Sequence, residues 1–73
     1  MPLPEMKSVY SSHVDSIGHD GSDLYVRWDS GKISVYRGVP ASVAAEVAGS
    51  WSVGKALREQ VKDRYDHAYV EAG

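Results

Sequence analysis

Hydrophobic and polar residues alternate along two short segments in the middle of the chain, residues 24–28 and 33–36. A period of two over several residues predicts a half-buried β-strand. The segments are separated by residues 29–32, a turn-forming run in which Gly31 can adopt the positive φ that a tight hairpin turn needs. The pattern therefore predicts a β-hairpin. An isolated hairpin is only marginally stable in water, so a further strand or a helix must cover its apolar face.

A two-residue loop, Ser30-Gly31, fixes the predicted register of this hairpin. The expected cross-strand neighbours are Trp28 with Ile33, Val26 with Val35, and Tyr25 with Tyr36. The predicted apolar face then carries Leu24, Val26, Trp28, Ile33 and Val35. The predicted polar face carries Tyr25, Arg27, Ser34 and Tyr36. A slip of one residue would move Trp28 into water, so we expect a well-specified register.

Residues 9–18, rich in β-branched and aromatic side chains, predict the first strand of a three-stranded meander. Val14 and Ile17 differ in parity, which indicates either a bulge between them or a short strand. The dipeptide Asp20-Gly21 predicts the turn into the second strand. Residues 1–7, with two prolines, are expected to be an irregular lead-in.

Helical signals follow the hairpin. Pro40 belongs in the first turn of a helix that runs through Ala48 and ends at Gly49. Ser50 or Ser52 can cap a second helix over residues 53–64. Its apolar stripe consists of Val53, Leu57 and Val61, with Tyr65 at the edge.

These elements predict one α+β domain over residues 1–73, with a three-stranded antiparallel sheet whose apolar face is covered by two helices, in the order β-β-β-α-α. The expected ordered core spans residues 8–65. The tail, residues 66–73, carries Tyr69 and Val70, which either pack or add an edge strand before the chain frays.

Composition limits the chemistry. The 73 residues include no cysteine, and the formal net charge is −2. Absence of cysteine fits a reducing cytoplasm, and no apolar run has membrane-spanning length. The three histidines, His13, His19 and His67, follow no metal-ligand spacing, and no catalytic triad or glycine-rich phosphate loop is recognisable. We therefore expect a non-enzymatic protein with no metal, no cofactor and no catalytic residue.

The order of short motifs resembles that of the KTSC domain. The matching residues are Ser11-Ser12, Ile17-Gly18-His19-Asp20, Leu24-x-Val26-x-Trp28, Gly31, Tyr36, Gly38-Val39-Pro40, Ser52-x-Gly54-Lys55, Val61 and Tyr65. This family is named for its occurrence at the C-terminus of some lysyl-tRNA synthetases, and it also forms small stand-alone bacterial and phage-type proteins. Its role is not established, although RNA binding has been suggested. Ser34 stands where the family has the first tyrosine of a Tyr-x-Tyr motif, so the chain resembles a divergent member.

Two surfaces are candidate binding sites. On the sheet, Tyr25 and Tyr36 could stack bases while Arg27 meets phosphate. Alternatively, the two tyrosines form a cross-strand pair that stabilises the sheet.

The second candidate is a basic stripe on the second helix, Lys55, Arg58 and Lys62, with Arg37 and Arg64 as possible neighbours. The alternative is a solvated helix face diluted by local ion pairs, since Glu59 lies within reach of Lys55 and Lys62.

Trp51, between the helices, either closes the end of the core or forms an exposed contact.

From the sheet surface and the basic stripe we expect a binding module for RNA or a nucleic-acid-associated protein. The alternative is a protein-interaction or self-assembling accessory protein, of phage or prophage origin, that uses Trp51 or the Tyr25/Tyr36 face and contacts no nucleic acid.

Overall fold

The computed structural model describes residues 5–9 and 13–70. Within them the strands are β1 (Lys7–Ser8), β2 (Val14–His19), β3 (Leu24–Trp28), β4 (Ile33–Arg37) and β5 (Asp66–Val70). The helices are α1 (Ala41–Ala48) and α2 (Val53–Gln60). Most of the predicted N-terminal lead-in, residues 1–4, lies outside the described residues.

The five strands form one antiparallel sheet in the order β1-β2-β3-β4-β5. The α+β class and the two helices are confirmed, whereas the prediction of three strands is wrong. The central meander of β2, β3 and β4 gains a short strand at each edge. The predicted bulge in β2 is present, because the pairing with β3 shifts between Val14 and Ser16.

The hairpin register differs from the predicted one by a single residue. The Trp28 N–H donates to the Lys32 carbonyl over 2.8 Å, and the Gly31 N–H donates to the Trp28 carbonyl over 2.9 Å. The loop therefore has three residues, with Gly31 at φ +94°, which is the geometry of a type I turn followed by a left-handed bulge residue. Trp28 is therefore paired with Lys32 and not, as predicted, with Ile33.

This shift exchanges the faces of β4. Leu24 now lies opposite Tyr36, Val26 opposite Ser34, Tyr25 opposite Val35, and Arg27 opposite Ile33. The predicted Tyr25–Tyr36 pair is therefore wrong, and so is the placement of Ile33 and Val35 on the face covered by the helices. A side-chain period of two makes any such slip transfer a whole strand's side chains to the other face.

The helices cover the face that carries Leu24, Val26 and Tyr36, which we call the helix-covered face. Its buried core consists of Val14, Ile17, Leu24, Val26, Tyr36, Val39, Ala44, Val47, Val53, Ala56, Leu57 and Val61. Ile33 and Val35 lie on the opposite face, where they are nevertheless buried. On that face they are flanked by Tyr25 and Arg27 of β3 and by Ala68 and Val70 of β5.

The helices follow the sequence signals closely. Pro40 precedes the first residue of α1, and Gly49 ends the helix with its N–H donated to the Ala45 carbonyl. The predicted stripe of α2 is confirmed, since Val53, Leu57 and Val61 are buried. The helix ends earlier than the predicted residue 64, because a turn that includes Asp63 at φ 66° follows Gln60.

None of the described helices is long and apolar enough to cross a membrane.

Candidate binding site

A groove of about 360 Å³ opens on the helix-covered face, beside the sheet edge formed by β5. Its residues come from the end of β3, from β4 and β5, and from the turn after α2. They are Trp28, Ser34, Tyr36, Lys62, Asp63, Tyr65, His67 and Tyr69. Two features of the fold form this groove. The helix α2 ends at Gln60, and β5 adds a further row of rings beside β4.

The register of β4 and β5 places three rings side by side. Tyr36 lies opposite His67, and Ser34 lies opposite Tyr69. The Tyr36 and His67 ring centroids are 4.9 Å apart with a tilt of 35°, and the His67 and Tyr69 centroids are 4.8 Å apart edge to face. Both separations lie within the range of favourable aromatic contacts. The rings therefore support one another and present a continuous surface.

The ring surface is graded from buried to exposed. Tyr36 is only 7% exposed, whereas Tyr69 is 67% exposed. Burial, and then the neighbouring Tyr69, raise the pKa of the Tyr36 phenol above its ordinary value, so Tyr36 stays neutral at physiological pH. Tyr36 thus forms the floor of the groove, and Tyr69 remains available to a ligand.

Trp28 closes the groove on the side of β3. Its indole N–H donates a hydrogen bond of 2.7 Å to the Ser34 hydroxyl, which fixes the orientation of the indole ring. Ser34 is almost fully buried, so the indole N–H supplies a hydrogen-bond partner to a hydroxyl that water does not reach. The serine that departs from the family's Tyr-x-Tyr pattern is thus the partner of the tryptophan.

A second, more open depression of about 510 Å³ adjoins the groove and shares Trp28 and Tyr69 with it. It is lined by residues of the β3–β4 turn, among them Lys32, whose Nζ lies 5.9 Å from the Tyr69 ring centroid. This distance is at the limit for a cation–π contact. The two depressions share the rings of Trp28 and Tyr69, with Lys32 in one and Lys62 in the other; we call their combined surface the aromatic groove.

The charges around the aromatic groove are mixed. Lys32 and Lys62 are exposed, and so are the neighbouring acids Asp29 and Asp63. The field is therefore local, and each lysine has an acid close by in sequence. Such a surface suits a ligand that brings flat rings and a few separated negative charges, rather than one that presents a dense polyanionic backbone.

Among the described residues, no group of three or more His, Asp or Glu side chains is arranged to hold a metal ion.

The predicted site residues do not form one surface. Tyr36 and Lys62 line the aromatic groove. Tyr25, Arg27 and Arg37 lie on the opposite face of the sheet, because the register places them in line with Val35, Ile33 and Asp66. The predicted surface of Tyr25, Arg27 and Tyr36 is therefore divided by the sheet itself.

The opposite face carries charges of both signs around Tyr25. Burial raises the pKa of the Tyr25 phenol, the nearby carboxylates of Asp20 and Asp23 raise it further, and the guanidinium of Arg37 lowers it. Arg27 and Arg37 lie on this face, so its charges are mixed, as they are around the aromatic groove. The groove differs from this face in the number of aromatic rings that it brings together.

The predicted basic stripe is only partly helical. Lys55 and Arg58 are exposed on α2, while Lys62 lies beyond the helix and donates its N–H to the Leu57 carbonyl. Lys55 and Glu59 form a loose ion pair of 3.9 Å between exposed side chains. Such a pair contributes little to stability. Of the three cations of the predicted stripe, Lys62 is the one that lines the groove.

Trp51 is not part of the core. It follows α1 and is 94% exposed, in contrast to the neighbouring Val53, which is buried. This placement decides between the two alternatives for Trp51 in favour of the exposed one.

Sequence reasoning missed most of the aromatic groove. Trp28 lies on the predicted apolar face and packs against the core, but the prediction does not include its part in the groove. His67 and Tyr69 belong to β5, which the sequence predicts only as one alternative for the tail. The alternation His67-Ala68-Tyr69 within residues 66–70 is a strand signal of the usual kind. Combined with the three-residue loop, it would have placed both rings beside Tyr36.

Comparison with known families decides the classification. The family model described as the KTSC domain matches residues 10–65 of the chain. The chain belongs to the KTSC domain family. This confirms the resemblance found in the sequence motifs.

A crystal structure of a KTSC domain protein from Yersinia pestis has the same fold, with a TM-score of 0.83 at 23% sequence identity. The match covers 92% of this chain and 97% of that one. At this identity the likeness concerns the fold of the KTSC domain alone. No curated protein matches the chain.

Proposed function

We propose that this KTSC domain is a non-enzymatic binding module that takes single-stranded nucleic acid, RNA in particular, into the aromatic groove. One observation supports the proposal above others: the fold gathers five rings in one groove, with Lys62 in its lining and Lys32 in the adjoining depression. The rings are those of Trp28, Tyr36, Tyr65, His67 and Tyr69.

The physical basis is stacking with limited electrostatic assistance. Stacking of a base on an aromatic side chain contributes about 1–3 kcal/mol and tolerates any base, because every base has a π-face. The chain's net charge of −2 supplies no long-range attraction. Lys32 and Lys62 can each meet one phosphate, so log K should fall against log salt with a slope of about −1.4, from about −0.7 for each phosphate contacted.

A fluorescence titration tests the proposal. In Trp51→Phe, the indole of Trp28 is the one remaining tryptophan, and a base that stacks in the groove should quench it. We expect saturable quenching by a short oligouridylate at low salt, which weakens as salt is added. Lys62→Gln should weaken binding severalfold.

Lys55→Gln is the matched control, because it removes the same charge from an exposed lysine that does not line the groove. Equal losses of affinity in the two variants would show that the interaction depends on net charge and not on the groove. No quenching at low salt, where electrostatic association is strongest, would refute nucleic-acid binding.

A second function, docking or self-assembly through Trp51, is favoured by the 94% exposure of this indole. Trp is enriched at protein interfaces, where it supplies much of the binding energy. In Trp28→Phe, the emission of Trp51 should shift to shorter wavelength as protein concentration rises if the chain assembles through it. Emission that stays at the wavelength of a hydrated indole at every concentration would exclude self-assembly through Trp51.

A further inference from the structure

Among residues 5–9 and 13–70, no strand pairs with the outer edge of β5. β5 is the last strand of the sheet and pairs on one side with β4. Four of its five residues are exposed. The other described edge strand, β1, has only two residues and begins with Lys7, which limits it as a pairing edge.

The hydrogen-bonding pattern fixes which groups of β5 point outwards. Trp28 and Lys32 form a hydrogen-bonded pair next to the turn. Such pairs recur at every second residue of antiparallel strands, so Ser34 and Tyr36 also direct their backbone groups toward β3. Their neighbours on β4 therefore bond to β5, where the partners are Asp66, Ala68 and Val70. Alternation leaves the backbone N–H and C=O groups of His67 and Tyr69 directed away from the sheet.

We propose that β5 pairs antiparallel with β5 of a second copy, about a two-fold axis through Ala68. In this register the His67 of each copy lies opposite Tyr69 of the other. Both residues have outward backbone groups, so the pairing makes four backbone hydrogen bonds. Centring the axis on His67 or on Tyr69 instead sets that residue opposite itself and uses only one of the two residues within β5.

The side chains of β5 also fit this register. The two Ala68 residues meet as a non-hydrogen-bonded pair, the closest kind of cross-strand contact, where a methyl group is easily accommodated. Asp66 lies opposite Val70 of the second copy, so no like charges face each other. β5 contains neither proline nor lysine, the residues that most often protect an edge strand.

The symmetry has a consequence for the aromatic groove. A two-fold axis perpendicular to the sheet keeps both helix-covered faces on the same side. The rings of His67 and Tyr69 from the two copies then become neighbours, and two grooves lie next to each other. This consequence rests on the proposed function, whereas the pairing itself does not.

Cysteine cross-linking tests the pairing directly, because the chain contains no cysteine of its own. In Ala68→Cys, the Cα atoms of the pair would lie about 4.5 Å apart, within the range that a disulfide spans. We expect rapid formation of a disulfide dimer under mild oxidation. Ala45→Cys, on the exposed side of α1, is the matched control and should cross-link at the slow rate of random collision.

Sedimentation equilibrium of the unmodified chain provides the second readout, and its average mass should rise with concentration toward twice the monomer's 8.0 kDa. Tyr69→Pro should suppress this rise and keep its circular dichroism, because it removes an outward N–H and no bond to β4. Equal cross-linking rates at positions 68 and 45, or a mass that stays at 8.0 kDa at millimolar concentration, would overturn the pairing. Neither readout involves nucleic acid, so its failure is distinct from failure of the proposed function.

Discussion

The indole Nε1–H of Trp28 donates a hydrogen bond of 2.7 Å to the hydroxyl of Ser34, six residues further along the chain. The two side chains share the helix-covered face because Val26, not Arg27 as predicted, lies directly opposite Ser34, and Trp28 lies two residues beyond Val26 on the same face. This bond therefore depends on the three-residue loop, and it holds one wall of the aromatic groove in place.

Ser34→Ala should destabilise the domain by about 1 kcal/mol, because it leaves the partly buried indole N–H without its acceptor. Urea unfolding of Ser34→Ala, Trp28→Phe and the double variant measures this interaction. We expect a coupling free energy of about 0.5–1.5 kcal/mol. Additive effects of the two substitutions would show that the hydrogen bond contributes nothing.

His19 connects two separate turns. Its Nε2 lies 2.6 Å from the Val39 carbonyl and its Nδ1 accepts the Gly21 N–H over 3.1 Å, so the Nε2–H tautomer satisfies both. His19→Ala should lower the free energy of unfolding by about 1–3 kcal/mol, because a part-buried carbonyl loses its donor. A loss below about 0.5 kcal/mol in urea unfolding would contradict this role.

Asp20 should make the stability of the β2–β3 turn depend on pH. Its carboxylate accepts the N–H groups of Asp23 and Ser22 over 2.8 and 2.9 Å. These bonds, that of Asp23 first, hold the pKa of Asp20 below 3.8. A depressed pKa in the folded state stabilises the fold above the unfolded-state pKa, and this contribution is lost as the pH falls through the folded-state value.

Urea unfolding at neutral pH and at about pH 2 measures this effect. Asp20→Asn should be less stable than wild type at neutral pH, and the difference should shrink in acid. A difference that is the same at both pH values would show that the charge of Asp20 is not involved.

Substitution of Trp51 should leave stability almost unchanged. With 94% of its surface exposed, Trp51→Ala removes little packing, and we expect a change within about 0.5 kcal/mol. Leu57→Ala, at a position that is 2% exposed, provides the contrast and should cost about 2–5 kcal/mol. A loss for Trp51→Ala that approaches the loss for Leu57→Ala would mean that the indole packs in the folded protein.

Most of the architecture could be predicted from the sequence because it depends on local signals. Alternation identified β3 and β4, the spacing of Val53, Leu57 and Val61 identified α2, and the parity of Val14 and Ile17 indicated the bulge. Each of these signals is strong within a few residues of chain. They are sufficient for the α+β class, whereas the order of the short motifs indicates the family.

The faces of β4 could not be predicted in the same way. A two-residue and a three-residue loop both place Gly31 at a left-handed position, and both leave apolar residues on each strand. The choice depends on whether Trp28 pairs with Ile33 or with Lys32. This difference of one residue decides whether Val35 or Tyr36 lies on the helix-covered face. Burial of Ile33 and Val35 on the opposite face also removes the expected penalty for that exchange.

The candidate site was predicted less well than the fold because its residues meet only in three dimensions. Tyr36 and Tyr69 are distant in sequence, and their rings share a surface because β5 returns to pair with β4. No local pattern in the chain specifies that return. Lys62 reaches the groove because α2 ends at Gln60, a boundary that the helical periodicity through residue 64 conceals.

The two indole N–H resonances in an NMR spectrum test the central claim most directly, because Trp28 and Trp51 report the two competing surfaces. On addition of a short single-stranded RNA at low salt, the binding of nucleic acid in the aromatic groove predicts that the Trp28 resonance shifts progressively and saturably, while that of Trp51 stays in place. A spectrum in which the Trp28 resonance does not move, whether or not that of Trp51 does, would contradict it.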